Sequence, residues 1–204
     1  MRAAQLVIAI ALVLAGAAIP TLAQAPGKVQ LKPEVEEFIG QMVSQNQFDE
    51  ATLRRVFGQL KVHEGVVKAI GAPSTAKPWH EFRSIFVTPT RTSGGLEFWQ
   101  RHADLLGRAR DVYGVPEEII VAIIGVETIY GRRLGSFRVI DALYTLGFEM
   151  TERATFFRGE MEQFLLLARE NALDPLSVKG SFAGAMGMPQ FIPTSYRRFA
   201  VDFD

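Results

Sequence analysis

The stretch 115–135, VPEEIIVAIIGVETIYGRRLG, decides the fold. Proline suits the start of a helix, and acids there favour the helix dipole, so Pro116, Glu117 and Glu118 open one. Six apolar residues follow: Ile119, Ile120, Val121, Ala122, Ile123 and Ile124. Glu127 lies four residues beyond Ile123 and seven beyond Ile120, which puts all three on one helical face. That face is expected to be buried. A carboxylate there loses hydration, its pKa rises, and an acid that keeps its proton near neutral pH can act as a general acid. Gly131, one turn further on, is expected to leave open space beside the carboxyl for a ligand. The same pattern also describes a structural glutamate satisfied by a backbone N–H or an arginine.

Upstream, Pro33 opens a helix over 33–46 with Val35, Phe38, Ile39, Met42 and Val43 at helical spacing. Asp49 caps a second helix whose apolar side is Leu53, Val56, Phe57 and Leu60. A loop spans 71–78, an aromatic-rich segment with Trp79, Phe82 and Phe86 follows, and Pro89 with Gly94-Gly95 marks a turn. One long helix is expected over 95–113, with Leu96, Trp99, Ala103, Leu106 and Ala109 on one side.

Downstream, a helix over 140–146 ends at Gly147. Thr151 or Glu152 begins a periodic helix through Ala172, with Phe156, Phe157, Phe164, Leu165 and Ala168 inward and Glu160 and Glu162 solvated. The segment 179–190, KGSFAGAMGMPQ, is rich in small residues, so its backbone can approach a ligand or pack as a tight turn on the core. Gln190 offers a donor and an acceptor. Pro193 and Thr194 begin a last helix. No strand is expected: the fold class is all-α.

The chain has 204 residues, 48% of them hydrophobic and 22% charged, as in an ordinary globular domain. A formal net charge of zero gives no support for nucleic-acid binding. Residues 1–25 read as a signal peptide: Arg2, then an apolar core over 6–19, then small residues, with cleavage after Ala25 or Ala23. Residues 26–32 are a polar tether, and 33–204 form the domain. There is no cysteine, which excludes disulfides, a thiol nucleophile and a lipid anchor that needs one. The product is expected to be exported, soluble and periplasmic. His63, His80 and His102 have no ligand-like spacing, and no metal site and no cofactor are expected.

GVET and IYG at 125–131, DALYTLGF at 141–148, FFRGEMEQFLLLAREN at 156–171 and DPLSVKGSFAGAMGMPQFIPTSY at 174–196 closely resemble the lytic murein transglycosylase B family, glycoside hydrolase family 103. KPWHEFRSIFVTP at 77–89 and GGLEFWQRHADLLGRARDVYGVP at 94–116 extend the resemblance, which covers roughly 33–204. It implies a lysozyme-like helical domain that cleaves the β-1,4 bond between N-acetylmuramic acid and N-acetylglucosamine of peptidoglycan glycan strands and leaves a 1,6-anhydromuramoyl end. It implies Glu127 as the catalytic acid and base, with Ser181 and Gln190 lining the sugar cleft and Phe82 stacking on a sugar. Arg153 matches one of two adjacent arginines in some relatives. Here the other is Glu152, so anion binding there is expected to be weaker. Relatives continue past VDF into an acidic calcium loop and further helices. Asp202 and Asp204 would be only the first ligands of such a loop, so no calcium site is expected and the C-terminal part of the domain is expected to be missing. A non-catalytic murein-binding fragment and a hydrolytic muramidase are the competing functions.

Overall fold

The computed structural model describes residues 30–71, 77–150 and 152–201. The signal-peptide reading, most of the tether, the centre of the loop at 71–78 and the acids at 202 and 204 lie outside these residues. Ten helices are described: α1 (Pro33–Asn46), α2 (Glu50–Phe57), α3 (Glu64–Gly71), α4 (Trp79–Phe86), α5 (Pro89–Arg101), α6 (Ala103–Tyr113), α7 (Glu117–Thr128), α8 (Val139–Phe148), α9 (Ala154–Glu170) and α10 (Pro193–Phe199). Two short strands, β1 (Phe137–Arg138) and β2 (Lys179–Gly180), pair antiparallel. The expectation of no strand is corrected by this pair, which is too short to show a period of two.

Local chemistry sets most boundaries. Pro33 opens α1, and the Asp49 side chain accepts from Thr52 N at 2.8 Å to cap α2. The expected long helix breaks at His102, which closes α5 with bonds to Phe98 and Trp99 carbonyls and whose own carbonyl accepts from Leu106 N of α6. The expected turn before Gly95 is instead the first half of α5, started by Thr88 as cap and Pro89. Gly147 does not end α8. It is buried within the helix, where a Cβ would lie 3.2 Å from Arg158 Cγ, so close packing and not termination selects glycine.

Two hydrophobic cores form. The larger joins α1, α2, α3, α8 and α9 through Ile39, Leu53, Val66, Leu143, Met161 and Phe164, all nearly inaccessible. The smaller joins α5, α6 and α7 through Phe98, Leu106 and Val121. Glu117 ties the smaller one at its edge: it accepts from Trp99 Nε1 at 2.6 Å and pairs with Arg110 at 2.5 Å. Phe157 is buried as expected. Phe156 is not: it is 40% exposed.

Glu160, expected in solvent, is 3% exposed. It accepts from Thr194 N at 2.9 Å and Thr194 Oγ1 at 2.6 Å, so a fully hydrogen-bonded carboxyl holds the start of α10. The other end of α10 is held at the surface by Arg197 on Glu170, at 2.6 and 3.0 Å. Hydrogen bonding to Arg197 holds the Glu170 carboxyl below its ordinary 4.5. Because the folded-state value is the lower one, the contribution is full above 4.5, declines below it and vanishes below the depressed value. A melting-temperature gap between the parent and Glu170→Gln is therefore expected at neutral pH and should close in acid. A gap that persists in strong acid would show that the ion pair is not its source.

Candidate active site

Glu127 is the last residue but one of α7. It is exposed, and so are Ile119, Ile123 and Val126, each near 50%. The buried side of α7 is Val121, Gly125 and Thr128. The expectation of a buried Glu127 face is thus corrected. Six consecutive apolar residues leave the period undecided, and the face that packs is chosen by what α5 and α6 can meet. The carboxyl therefore stands at the surface, at the end of an exposed apolar strip. A body laid on that strip would remove water from it.

The chain then makes a hook. Ile129, Tyr130 and Gly131 all have left-handed φ values, 52°, 60° and 81°. For a β-branched residue such as Ile129 this is a real outlier, and conformations of this kind persist only when the surroundings over-determine them. Thr128, fully buried, supplies one hold. Its Oγ1 accepts from Gly131 N at 3.0 Å and lies 3.1 Å from the Met188 carbonyl. Tyr130 supplies another, donating its hydroxyl to the Arg91 carbonyl at 2.9 Å. The space expected beside Gly131 is not open: a Cβ there would meet Met188 Sδ at 3.3 Å. Glycine is needed for its φ, not for a ligand.

The hook gathers three of the candidate residues. The loop 181–191 is joined to it through Met188 and through Gln190, whose Nε2 donates to the Gly187 carbonyl at 2.9 Å and the Leu134 carbonyl at 3.3 Å. Gln190 itself has φ 51°. Ser181 Oγ accepts from Ala183 N at 3.2 Å and Ala185 N at 3.1 Å, shaping the loop from within. The small residues of this loop pack it on the core: a Cβ on Gly184 would lie 2.6 Å from Leu143 Cδ2. Phe82 belongs to an aromatic row on α4, 4.7 Å from Phe86 and 6.2 Å from Trp79 between ring centroids. Arg91 connects that row to α7. Its guanidinium lies 5.0 Å from the Phe86 centroid and donates to the Gly125 carbonyl at 2.7 Å, two residues before Glu127.

Arg153 sits elsewhere, exposed at the start of α9, with its guanidinium over Phe156 at 4.5 Å and Phe157 at 5.4 Å. No contact among the described residues links it to the hook. Asp141 is 1% exposed and paired with Arg138 at 2.6 Å. Sequence reasoning missed Thr128, Tyr130 and Arg91. Thr128 and Tyr130 carried a signal, as letters of GVET and IYG, and that signal named no partner.

Residues 30–204 match the family model described as the transglycosylase SLT domain. The chain is 46% identical over 190 residues to the membrane-bound lytic murein transglycosylase B of Escherichia coli strain K12, covering 88% of this chain and 53% of that one. Among solved structures it is similar to the soluble lytic transglycosylase SltB1 of Pseudomonas aeruginosa, with a TM-score of 0.81 and 51% identity over 84% of this chain and 58% of that one. It is also similar to SltB3 of the same organism, solved in complex with NAG-NAM-pentapeptide, with a TM-score of 0.74 and 30% identity over 84% of this chain and 46% of that one. The chain therefore spans about half the length of these relatives, and over that span its helices take their lysozyme-like arrangement. By its helical fold and by a match that runs through 30–204, this chain belongs to the transglycosylase SLT domain family.

Proposed function

We propose that this chain carries peptidoglycan lytic transglycosylase chemistry, with Glu127 performing both proton transfers. The observation that carries the reading is the place of Glu127: a surface carboxyl in the GVET motif, at the end of a helix, on a turn held from two sides. The next acid along the chain, Asp141, is committed to Arg138 and is not available as a partner. Most glycosidases need two carboxylates. A single one suffices when the substrate supplies the nucleophile.

In that reaction protonated Glu127 gives its proton to the glycosidic oxygen as the bond from C1 of N-acetylmuramic acid breaks. The N-acetyl oxygen of the same sugar supports C1. The Glu127 carboxylate then takes the proton of the C6 hydroxyl as that oxygen bonds to C1. A 1,6-anhydro end results, Glu127 regains its proton, and no water is consumed. The similarity to a protein solved with NAG-NAM-pentapeptide and with NAG-anhNAM-pentapeptide supports glycan strands as the substrate class and the anhydro sugar as the product.

The row of Trp79, Phe82 and Phe86 suits stacking on a sugar face. Gln190 spends its N–H groups on Gly187 and Leu134, so its carbonyl oxygen is the group left for sugar N–H or O–H. Ser181 orders the loop that presents it. Arg153 is assigned a peripheral contact with an anionic part of the strand. Among the described residues no helix is long and apolar enough to cross a membrane. The signal-like segment at 1–25 supports export to the periplasm, where the substrate lies.

The exposed strip beside Glu127 favours one second reading, a murein-binding module whose cleft needs another wall for turnover. Reducing-end analysis of digested sacculi separates the cases. Anhydro ends are expected. Binding without release would establish the second reading, and free reducing ends would mean hydrolysis by water.

A further inference from the structure

Three buried glycines in the middle of helices face one aromatic ring. Gly94 and Gly95 belong to α5 and Gly125 to α7. Glycine weakens a helix interior relative to alanine, so three of them around one side chain need a reason. The ring is that of Tyr130. A Cβ on Gly95 would lie 2.6 Å from its hydroxyl oxygen, one on Gly125 2.5 Å from the same atom, and one on Gly94 3.3 Å from the ring edge. Phe98 lies at 5.7 Å between centroids. We propose that this glycine slot makes Tyr130 a positioning residue that sets Glu127 against the aromatic row of α4. The proposal rests on the function assigned above to Glu127.

The connection is continuous. The Tyr130 hydroxyl holds the Arg91 carbonyl, the Arg91 guanidinium holds the Gly125 carbonyl and covers Phe86, and Phe86 packs at a tilt against Phe82. The same residue carries the left-handed backbone that turns the chain after Glu127. The seat of one ring therefore fixes both the end of the catalytic helix and the place of the stacking surface. A sugar on the row meets the acid at a set distance, and misplacing reacting groups by about 1 Å can cost about 10²-fold in rate.

The slot gives a specific test, because a methyl on Gly95 collides with the hydroxyl oxygen at 2.6 Å, while ring Cζ, at 3.2 Å, has to give by only a few tenths of an ångström. Three variants of the full chain are compared with the parent: Gly95→Ala, Tyr130→Phe and the two together. Helix propensity alone favours alanine at position 95, so a loss there is diagnostic. Gly95→Ala is expected to lower kcat for anhydromuropeptide release by about tenfold or more, with KM within about twofold. Amide exchange at 129–131 is expected to quicken. Tyr130→Phe alone should cost kcat only a few-fold. The double variant should regain most of the kcat and of the exchange protection lost in Gly95→Ala, since the colliding oxygen is gone. A purely structural role would change melting temperature without this kcat-specific rescue. Parent values of kcat and exchange in Gly95→Ala, or a double variant no better than it, would overturn the proposal. If the parent itself releases no anhydro product, the functional reading fails, and the exchange arm alone decides the slot: protection lost and then regained supports it, unchanged protection overturns it.

Discussion

Glu127→Gln is expected to abolish the release of anhydro ends while leaving the melting temperature nearly unchanged. Loss of one general acid or base typically costs about 10²–10⁴ in rate. Here the same carboxyl gives a proton and later takes one back, so the loss should lie at or beyond the upper end. Glutamine keeps the shape and can do neither. The stability half of the expectation comes from the structure. Glu127 is exposed, and among the described residues no hydrogen bond or ion pair holds it. Surface substitutions of this kind usually stay within about 0.5 kcal/mol. Sacculus clearance and thermal melts check the two halves together. Turnover near the parent rate would remove Glu127 from the chemistry.

The exposure of Glu127 shows where sequence reasoning reaches and where it stops. The motif singled out Glu127, because GVET is a pattern of identities. Its environment was misjudged because hydropathy cannot choose a face where every residue from 119 to 124 is apolar. The choice is made by Gly125 and Thr128, neither of which weighs much on a hydropathy scale. The first helices were legible for the opposite reason. In α1 the apolar residues recur with polar ones between them, Pro33 marks the start, and Asp49 caps the next helix. Glycine misled three times. Gly94-Gly95 suggested a turn, Gly147 a helix end and Gly131 an opening, yet each answers to a neighbour or a φ value that only the tertiary structure supplies. Glu160 misled for a related reason, since Thr194 lies 34 residues away and nothing local announces it.

Asp141→Ala is expected to be the most destabilising of the single substitutions considered, by about 3 kcal/mol, although Asp141 touches no proposed substrate group. Its carboxylate is 1% exposed and accepts from Arg138 Nε at 2.6 Å, Arg138 Nη2 at 2.9 Å and Lys61 N at 3.1 Å, with His63 Nε2 at 3.2 Å. These contacts pin the segment between α2 and α3 onto the first turn of α8, where an acid also suits the helix dipole. Removing one member of a buried ion pair leaves the other uncompensated and costs about 3–5 kcal/mol. Arg138 keeps partial access to solvent, 27% at its side chain, which places the cost at the lower end. For a chain of this size 1 kcal/mol moves the melting temperature by about 2–4 °C, so a fall of roughly 6–12 °C is expected. Asp141→Asn retains an acceptor oxygen and should lie between alanine and the parent. Arg138 belongs to β1, whose partner β2 leads directly into Ser181, so the loss should loosen the loop that carries Gln190 and lower turnover as well. Thermal melts of both variants decide the matter. A fall of less than about 2 °C in the alanine variant, equivalent to under roughly 1 kcal/mol, would mean that solvent replaces Asp141 at no cost and that the network does not anchor the segment between α2 and α3.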